Sequence, residues 1–204
     1  MRDAENIRAV DGLAVDLMGF IFCPKSSRYV SERPSYLPTL CKRVGVFVDA
    51  SVDEIKQKIE EYRLDYIQLH GHESADDIRL LRSLYGDSIA IIKAISVSCR
   101  EDIATYKDYE ALVDYFLFDT KAQLPGGNGL QFDWSILADY DGKTPFLLSG
   151  GIGPDDAERL KTLPTISGFP ADKCIGIDLN SRFELSPALK DINKLNEFIK
   201  IVRI

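Results

Sequence analysis

The stretch PFLLSGGIGPDDAERL, residues 145–160, joins an apolar strand to two glycines and then to a helix with acidic residues in its first turn. Gly150 and Gly151 carry no side chain, so an anion can approach their backbone closely. The N–H groups at the start of the following helix attract negative charge. The segment therefore predicts a phosphate site, although paired glycines are equally typical of an ordinary tight turn.

A second strand and turn follow in CIGIDLNSRFELSP, residues 174–187. The strand runs to Asp178, and the turn contains Asn180 and Ser181. Two adjacent strand-to-turn units can share one phosphate near the end of a parallel barrel. Because they close a chain of repeated strand and helix units, they favour a (β/α)8 barrel of the triosephosphate isomerase type.

The composition is that of an ordinary globular domain: 204 residues, 45% hydrophobic and 28% charged. We expect one domain over residues 1–204. The net charge of −7, with no basic face, argues against nucleic-acid binding. No apolar run approaches the roughly 20 residues of a membrane span, and the first residues do not resemble a signal peptide. These features predict a cytoplasmic protein that does not associate with membranes.

Seven apolar runs have strand length, and the segments between them have helical spacing. Since the runs are apolar throughout rather than alternating, both sheet faces should be covered, which predicts an α/β fold. Ser51 and Glu54 form a capping box before one helix, and Gly86 should end another. Residues 187–204 read as a closing helix. The runs lie at residues 17–22, 43–48, 65–70, 89–95, 114–119, 145–150 and 174–179.

Seven strands are one fewer than a closed barrel needs. Residues 1–13 have helical spacing at Ile7 and Val10, so the sequence starts on a helix. In a βα repeat a strand should precede that helix. We therefore expect strand 1 of the barrel, with its loop, to be missing from this chain.

Asp119 is the first candidate for chemistry because it ends the apolar run YFLFD, and barrel enzymes keep catalytic groups at strand ends. A carboxyl group shielded from water there can act as a general acid. A turn or helix-cap aspartate is the alternative. The glycine-rich segment at residues 124–134 follows and is long enough to cover an active-site mouth, or to be an ordinary loop.

Other polar residues also follow strands. Lys25 and Arg28 come after the first apolar run, where a guanidinium group can clamp a carboxylate, although solvated surface charge is the alternative. We interpret His70 as a strand-end polar group and His72 as a surface residue, since no further metal ligands accompany them. The four cysteines, Cys23, Cys41, Cys99 and Cys174, contain no Cys-x-x-Cys pair. A reactive thiol at Cys23 is a weaker hypothesis than a packed one.

Several segments taken together resemble phosphoribosylanthranilate isomerase of tryptophan biosynthesis. The resemblance covers essentially the whole chain and rests on the motifs FIFCPKSSRYV, KRVGVFVD, IQLHG, IKAI, FLFDTK, GGNGLQFDW, FLLSGGI and GIDLNSRFELSPALKD, in this order.

The resemblance implies a metal- and cofactor-free Amadori rearrangement of N-(5′-phosphoribosyl)anthranilate, a small phosphorylated substrate. Asp119 matches the general acid, which protonates the furanose ring oxygen. Arg28 matches the group that holds the anthranilate carboxylate. The matching phosphate-binding turns contain Gly127, Gly150, Gly151, Asn180 and Ser181. Whether the chain is a monomer or a homodimer stays open.

The chain departs from the family pattern in two places. The family's first strand has the form Lys-x-Cys-Gly, whose cysteine is the general base, and this sequence starts just after that point. We therefore expect low activity. Arg182 stands where the family usually has a small residue. Alternative hypotheses are a catalytically silent phosphate-binding barrel or partner subunit, and an isomerase of another phosphorylated sugar.

Overall fold

A computed structural model describes residues 1–120 and 134–203 of the chain. Its main sheet has seven parallel strands that neighbour one another in sequence order, so the seven strands predicted from the apolar runs are confirmed. Helical segments connect most successive strands and cover the outer face of the sheet. The strands are β1 (Leu17–Ile21), β2 (Lys42–Phe47), β3 (Tyr66–Leu69), β4 (Ala90–Val97), β5 (Tyr115–Thr120), β6 (Phe146–Ser149) and β7 (Cys174–Ile177).

The helices begin and end where local sequence signals predict. The capping box of Ser51 and Glu54 is present, and Gly86 ends its helix with a φ of 55°, a conformation that glycine tolerates. The closing helix is shorter than residues 187–204, because the first of these form a hairpin instead. The helices are α1 (Ala4–Asp11), α2 (Val52–Tyr62), α3 (Ala75–Tyr85), α4 (Arg100–Ile103), α5 (Ala157–Lys161) and α6 (Ile192–Val202).

The hairpin that corrects this prediction consists of β8 (Glu184–Ser186) and β9 (Leu189–Lys190), which pair antiparallel. It lies between β7 and α6, at the carboxyl end of the sheet. Ala188, with a φ of 67°, makes its turn. The hairpin brings Glu184 and Lys190 to the same place, and both side chains are buried.

Side chains of each strand alternate between two apolar layers. The larger layer lies between sheet and helices and includes Phe20, Phe47 and Phe116. The smaller layer faces the inside of the curved sheet and is built on Val44, Ile92, Ala94 and Leu117. An inner and an outer apolar layer are what a parallel sheet ringed by helices requires.

Among the described strands, β1 and β7 are the two edges of the sheet and do not pair with each other. The backbone of β1 is partly satisfied on its open side: the Met1 amino group donates to the Gly19 carbonyl over 2.9 Å, and Val30 N–H donates to Ile21. A cavity of about 760 Å³ is lined by side chains from the inside of the curved sheet and by residues of α1, α5 and α6. Among helices within residues 1–120 and 134–203, none combines the length and apolar character of a membrane span.

Candidate active site

The cavity inside the sheet gathers polar groups from both ends of the chain. Its lining includes Arg28 and Asn180, two of the residues predicted to bind substrate, together with Gln68, His70 and Asp178. Lower in the cavity the walls are apolar side chains of the strands. A mainly apolar pocket with a few converging polar groups is typical of a small-molecule site.

Arg28 is held by Glu184 in a bidentate ion pair. Its Nε lies 2.9 and 3.0 Å from the two carboxylate oxygens, and its Nη2 donates to Oε2 over 2.6 Å. The Glu184 side chain is only 5% exposed, whereas that of Arg28 is 24% exposed. Glu184 therefore occupies one edge of the guanidinium group. Nη2 makes one bond, to Glu184, and within the described residues Nη1 has no hydrogen-bond partner, so Nη1 and the second Nη2 proton can together receive another carboxylate.

Lys190 connects this ion pair to the turn after β7. Its Nζ lies 3.5 Å from Glu184 Oε1 and donates to the backbone oxygens of Leu179 and Asn180, at 3.2 and 3.0 Å. It also donates to Asn180 Oδ1 over 2.9 Å. Burial lowers the pKa of Lys190. One buried ammonium group thus fixes both the predicted phosphate turn and the carboxylate that orients Arg28.

The pKa values of the ion pair shift in opposite directions. Burial alone would raise the pKa of Glu184, but the hydrogen bond from Arg28 and the charge of Lys190 outweigh it, so this pKa is lowered. The hydrogen bond with Glu184 raises the pKa of Arg28. Both shifts keep the pair charged.

Asp119 lies at the end of β5, as predicted, and contacts a histidine. His70 Nε2 is 3.3 Å from Asp119 Oδ2, and Gln68 Nε2 is 3.0 Å from His70 Nδ1. The side chains of His70 and Asp119 are 29% and 21% exposed. His70 is indeed a strand-end polar residue, but it belongs to the candidate site, which the sequence interpretation did not foresee. His72, interpreted as a surface residue, has a fully exposed side chain.

A second buried ion pair lies behind the loop that carries His70. Lys93 Nζ is 3.0 Å from Glu73 Oε2 and also donates to the carbonyl oxygens of Leu69 and Gly71, at 3.2 and 2.7 Å. Glu73 accepts hydrogen bonds from the backbone N–H groups of Gly71 and Asp49. All three ammonium protons and both carboxylate oxygens therefore have partners inside the protein.

The glycine turn after β6 has the conformation that its sequence predicts. Gly150 and Gly151 have φ angles of 102° and 65°, which favour residues without a side chain. The helix does not follow them directly: a 3-10 turn at Pro154–Asp156 comes first, and α5 has five residues. The Gly153 N–H donates to Asp156 Oδ2. Short length and this internal cap weaken the predicted contribution of the helix start to anion binding.

Other residues near that turn make contacts of their own. Arg182 lies against Gly153, since a Cβ added there would be 3.2 Å from its Nε. The Ser149 hydroxyl is 3.0 Å from Asp178 Oδ2, which joins the ends of β6 and β7. The guanidinium carbon of Arg159, in α5, lies 3.7 Å from the ring centre of the buried Trp134.

The other residues predicted to bind phosphate are Ser181 and Gly127. Ser181 begins a 3-10 turn and is exposed. Gly127 and most of the segment 124–134 lie outside the described residues.

The cysteines are free and partly buried. Cys174 is the thiol that borders the cavity, and burial raises its pKa to about 11. Cys23, for which a reactive thiol was the weaker hypothesis, is not among the residues that line the cavity. Across the part of the chain that the structure describes, no three His, Cys, Asp or Glu side chains are grouped as metal ligands.

Sequence reasoning missed Gln68, Glu184 and Lys190. Side chains two residues apart along a strand point the same way, so Gln68, in β3, and His70, directly after it, both line the cavity. This spacing in the sequence could have identified Gln68 as a site residue. Glu184 and Lys190 are ordinary charged residues in sequence, and only the hairpin brings them to Arg28.

Comparison with known proteins agrees with this architecture. A family model described as N-(5′-phosphoribosyl)anthranilate (PRA) isomerase matches residues 1–201. The chain belongs to this family. A relative from Parabacteroides distasonis, named N-(5′-phosphoribosyl)anthranilate isomerase, is 45% identical over 98% of this chain and 89% of its own length.

Solved structures of the family have the same fold. Phosphoribosyl anthranilate isomerase from Thermotoga maritima is 29% identical and has a TM-score of 0.80, covering 100% of this chain and 95% of its own. Another structure of the isomerase, 27% identical with a TM-score of 0.75, contains reduced 1-(o-carboxyphenylamino)-1-deoxyribulose 5-phosphate and covers 100% and 98%. The predicted barrel fold and isomerase class are confirmed. The expected low activity is not borne out. The roles of individual residues stay predictions.

Proposed function

We propose that this chain converts N-(5′-phosphoribosyl)anthranilate to 1-(2-carboxyphenylamino)-1-deoxyribulose 5-phosphate, a step of tryptophan biosynthesis. The observation that carries the proposal is the family match over residues 1–201. The reaction needs three things of the protein: a group that holds the anthranilate carboxylate, a site for the phosphate, and an acid that protonates the ring oxygen.

Arg28 supports the first requirement. Its Nε edge is engaged by Glu184, while its Nη1–Nη2 edge faces the cavity that it lines. A carboxylate can accept two parallel hydrogen bonds from that edge. Because Glu184 is buried and bonded, the guanidinium group is held in place before substrate arrives, which lowers the entropy lost on binding.

Asn180, Ser181 and the glycine turn support the second requirement. Gly150 and Gly151 allow an anion to approach the backbone, and Arg182 supplies a cation beside the adjacent Gly153. We assign Gly127 to the same phosphate site from the family resemblance alone. Arg182 should strengthen phosphate binding, since it adds positive charge to a protein of net charge −7.

Asp119 is the proposed acid. Its proton passes to the furanose ring oxygen while the C1–O bond breaks, and the bond's electron pair goes to that oxygen; the anilino nitrogen supplies the pair that completes the Schiff base. A general base then takes the C2 proton, the electrons of the C2–H bond form the C1–C2 double bond, and the C=N pair returns to nitrogen, which gives the enolamine. Asp119 stands at a strand end and is partly shielded, with a 21% exposed side chain.

The assignment is tested by measuring turnover of Asp119→Asn. The amide keeps the shape of the carboxyl group but cannot deliver its proton, so kcat should fall roughly 10²–10⁴-fold. Asp87→Asn, the same change on a fully exposed carboxylate, is the matched control and should leave turnover unchanged. Near-normal turnover of Asp119→Asn would remove Asp119 from the mechanism.

The general base is tested separately. Turnover of Cys23→Ala is measured beside that of the parent chain. Full activity of the chain as it stands, abolished by Cys23→Ala, would make Cys23 the base.

We further infer that the enzyme works in the cytoplasm as a monomer or homodimer without metal or organic cofactor. Sedimentation and assay after treatment with a chelator test the last two points.

A further inference from the structure

We infer that His70 is a positioning residue for Asp119: held as its Nε2–H tautomer by Gln68, it donates a hydrogen bond to the carboxylate that remains when Asp119 gives up its proton. The inference rests on the proposed role of Asp119 as the acid. It assigns a function to a side chain that the sequence interpretation had treated only as a strand-end polar group.

The ring of His70 is placed between two groups of different hydrogen-bonding character. Gln68 Nε2 lies 3.0 Å from Nδ1, and an amide nitrogen can only donate. With the amide in this orientation Nδ1 is the acceptor, and we assign the ring proton to Nε2. Nε2 lies 3.3 Å from Asp119 Oδ2, so the ring donates there.

The backbone of His70 is fixed on both sides. Lys93 Nζ donates to the carbonyl oxygens of the two neighbouring residues, Leu69 and Gly71. The His70 N–H itself donates to the Phe47 carbonyl over 2.8 Å. The Lys93 ammonium is buried with Glu73, their side chains being 3% and 4% exposed. A ring on such a backbone has little freedom to leave Asp119.

This geometry assists an acid at the moment of proton transfer. While Asp119 is protonated, a donor on its other oxygen contributes little. As the proton moves to the substrate, negative charge develops on the carboxyl group, and the bond from Nε2 becomes charge-assisted and stronger. An interaction that strengthens toward the transition state raises kcat rather than substrate affinity.

The first experiment measures the tautomer directly. The chain has two histidines, so ¹⁵N-histidine labelling of a His72→Asn variant leaves signals from His70 alone. At neutral pH we expect Nδ1 to have the chemical shift of an unprotonated ring nitrogen and Nε2 that of a protonated one. Gln68→Leu should remove this preference. A protonated Nδ1 with an unprotonated Nε2 in the parent protein would overturn the inference.

The second experiment measures kcat and KM of the parent chain and of variants at position 70. His70→Ala should lower kcat roughly 10- to 100-fold, the effect of one hydrogen bond to a charged group, with KM changed less than about threefold. His70→Gln should recover part of kcat, since its amide nitrogen can donate toward Asp119. His72→Ala, on the same loop but fully exposed, is the control and should be unaffected.

The outcomes separate this inference from the function on which it rests. If Asp119→Asn is inactive and His70→Ala is normal, His70 has no positioning role and Asp119 remains the acid. If Asp119→Asn is active, the acid has been misassigned and the inference fails with it. A rise in KM alone in His70→Ala would show that the ring binds substrate instead, and would also overturn the inference.

Discussion

Two buried carboxylates, Glu73 and Glu184, are each paired with a cation at the carboxyl end of the sheet, yet only one pair retains capacity to bind. The Glu73 and Lys93 side chains are 4% and 3% exposed, and their hydrogen-bonding groups are all satisfied within residues 49–93. Glu184 is buried to the same degree, but Arg28 keeps one edge of its guanidinium group toward the cavity.

The difference follows from the chemistry of the two cations. An ammonium group has three donors, and Lys93 uses all of them on two carbonyls and one carboxylate. A guanidinium group has five donors on two usable edges, so it can bind a structural carboxylate and a ligand carboxylate at once. Burial of an ion pair therefore does not by itself mark a functional site, whereas a free edge on a buried pair does.

The largest expected effect comes from breaking the Glu73–Lys93 pair, whose hydrogen-bonding groups all have partners inside the protein. Lys93→Met would leave Glu73 buried without its cation and should lower the free energy of unfolding by about 3–5 kcal/mol. Urea denaturation measures the change. Glu73→Gln with Lys93→Met, which removes both charges, should recover part of it. Equal stability of the Lys93→Met and parent proteins would mean that this pair does not hold the loop.

The next effect concerns the Arg28–Glu184 pair. A substitution there should change ligand affinity much more than it changes the free energy of unfolding. Arg28→Lys keeps a cation beside Glu184 but has no second edge for a ligand carboxylate. We expect a roughly 10- to 100-fold loss of affinity for anthranilate, the effect of hydrogen bonds to a charged group, with a small change in stability. Titration calorimetry and urea denaturation measure the two quantities. Unchanged affinity would mean that Arg28 does not bind the ligand carboxylate.

A smaller effect should appear in the pH dependence of stability. The pKa of Glu184 is lowered in the folded protein, so its ion pair stabilises the fold above the unfolded pKa of about 4.3, and this contribution is lost as the pH falls through the folded value. Glu184→Gln should thus have a lower Tm than the parent at neutral pH. The gap should narrow as the pH falls below about 4.3, and a constant gap would show that charge is not its cause.

The smallest effect is expected for an exposed pair. Lys42 and Asp65 lie 2.8 Å apart, with side chains 62% and 33% exposed. Solvent screens such a pair, and Lys42→Met should barely move the urea midpoint. If Lys42→Met lowered the free energy of unfolding as much as Lys93→Met, burial would not explain the difference between the exposed Lys42–Asp65 pair and the buried Lys93–Glu73 pair.

The sequence predicts the repeating parts of this molecule better than its site. Apolar runs locate the seven strands because each strand carries apolar side chains on both of its faces, a local property. The capping box at Ser51 and the helix end at Gly86 are local as well. The Arg28–Glu184 pair joins residues 156 positions apart, and no local pattern reveals it. The hairpin turn and β9 were mistaken for the start of the closing helix because β9 has only two residues.

Part of the site was nevertheless predictable. Asp119 and Arg28 were identified from their places after apolar runs, and the structure puts both beside polar partners. Those partners could not be named beforehand, since His70 and Glu184 belong to other strands or strand ends, whose placement relative to Asp119 and Arg28 the sequence does not specify. The positive φ angles of Gly150 and Gly151 agree with the predicted turn, while the length of the helix after it was overestimated.

Trp134 gives the molecule a built-in optical reporter. It is the only tryptophan in the chain, it is buried, and the Arg159 guanidinium group stacks on its ring 3.7 Å away. Indole emission responds to a cation on the ring face, and Arg159 belongs to the short helix after the glycine turn. An anion that moves this helix should therefore alter the intrinsic fluorescence, so ligand binding can be followed without a label and without turnover.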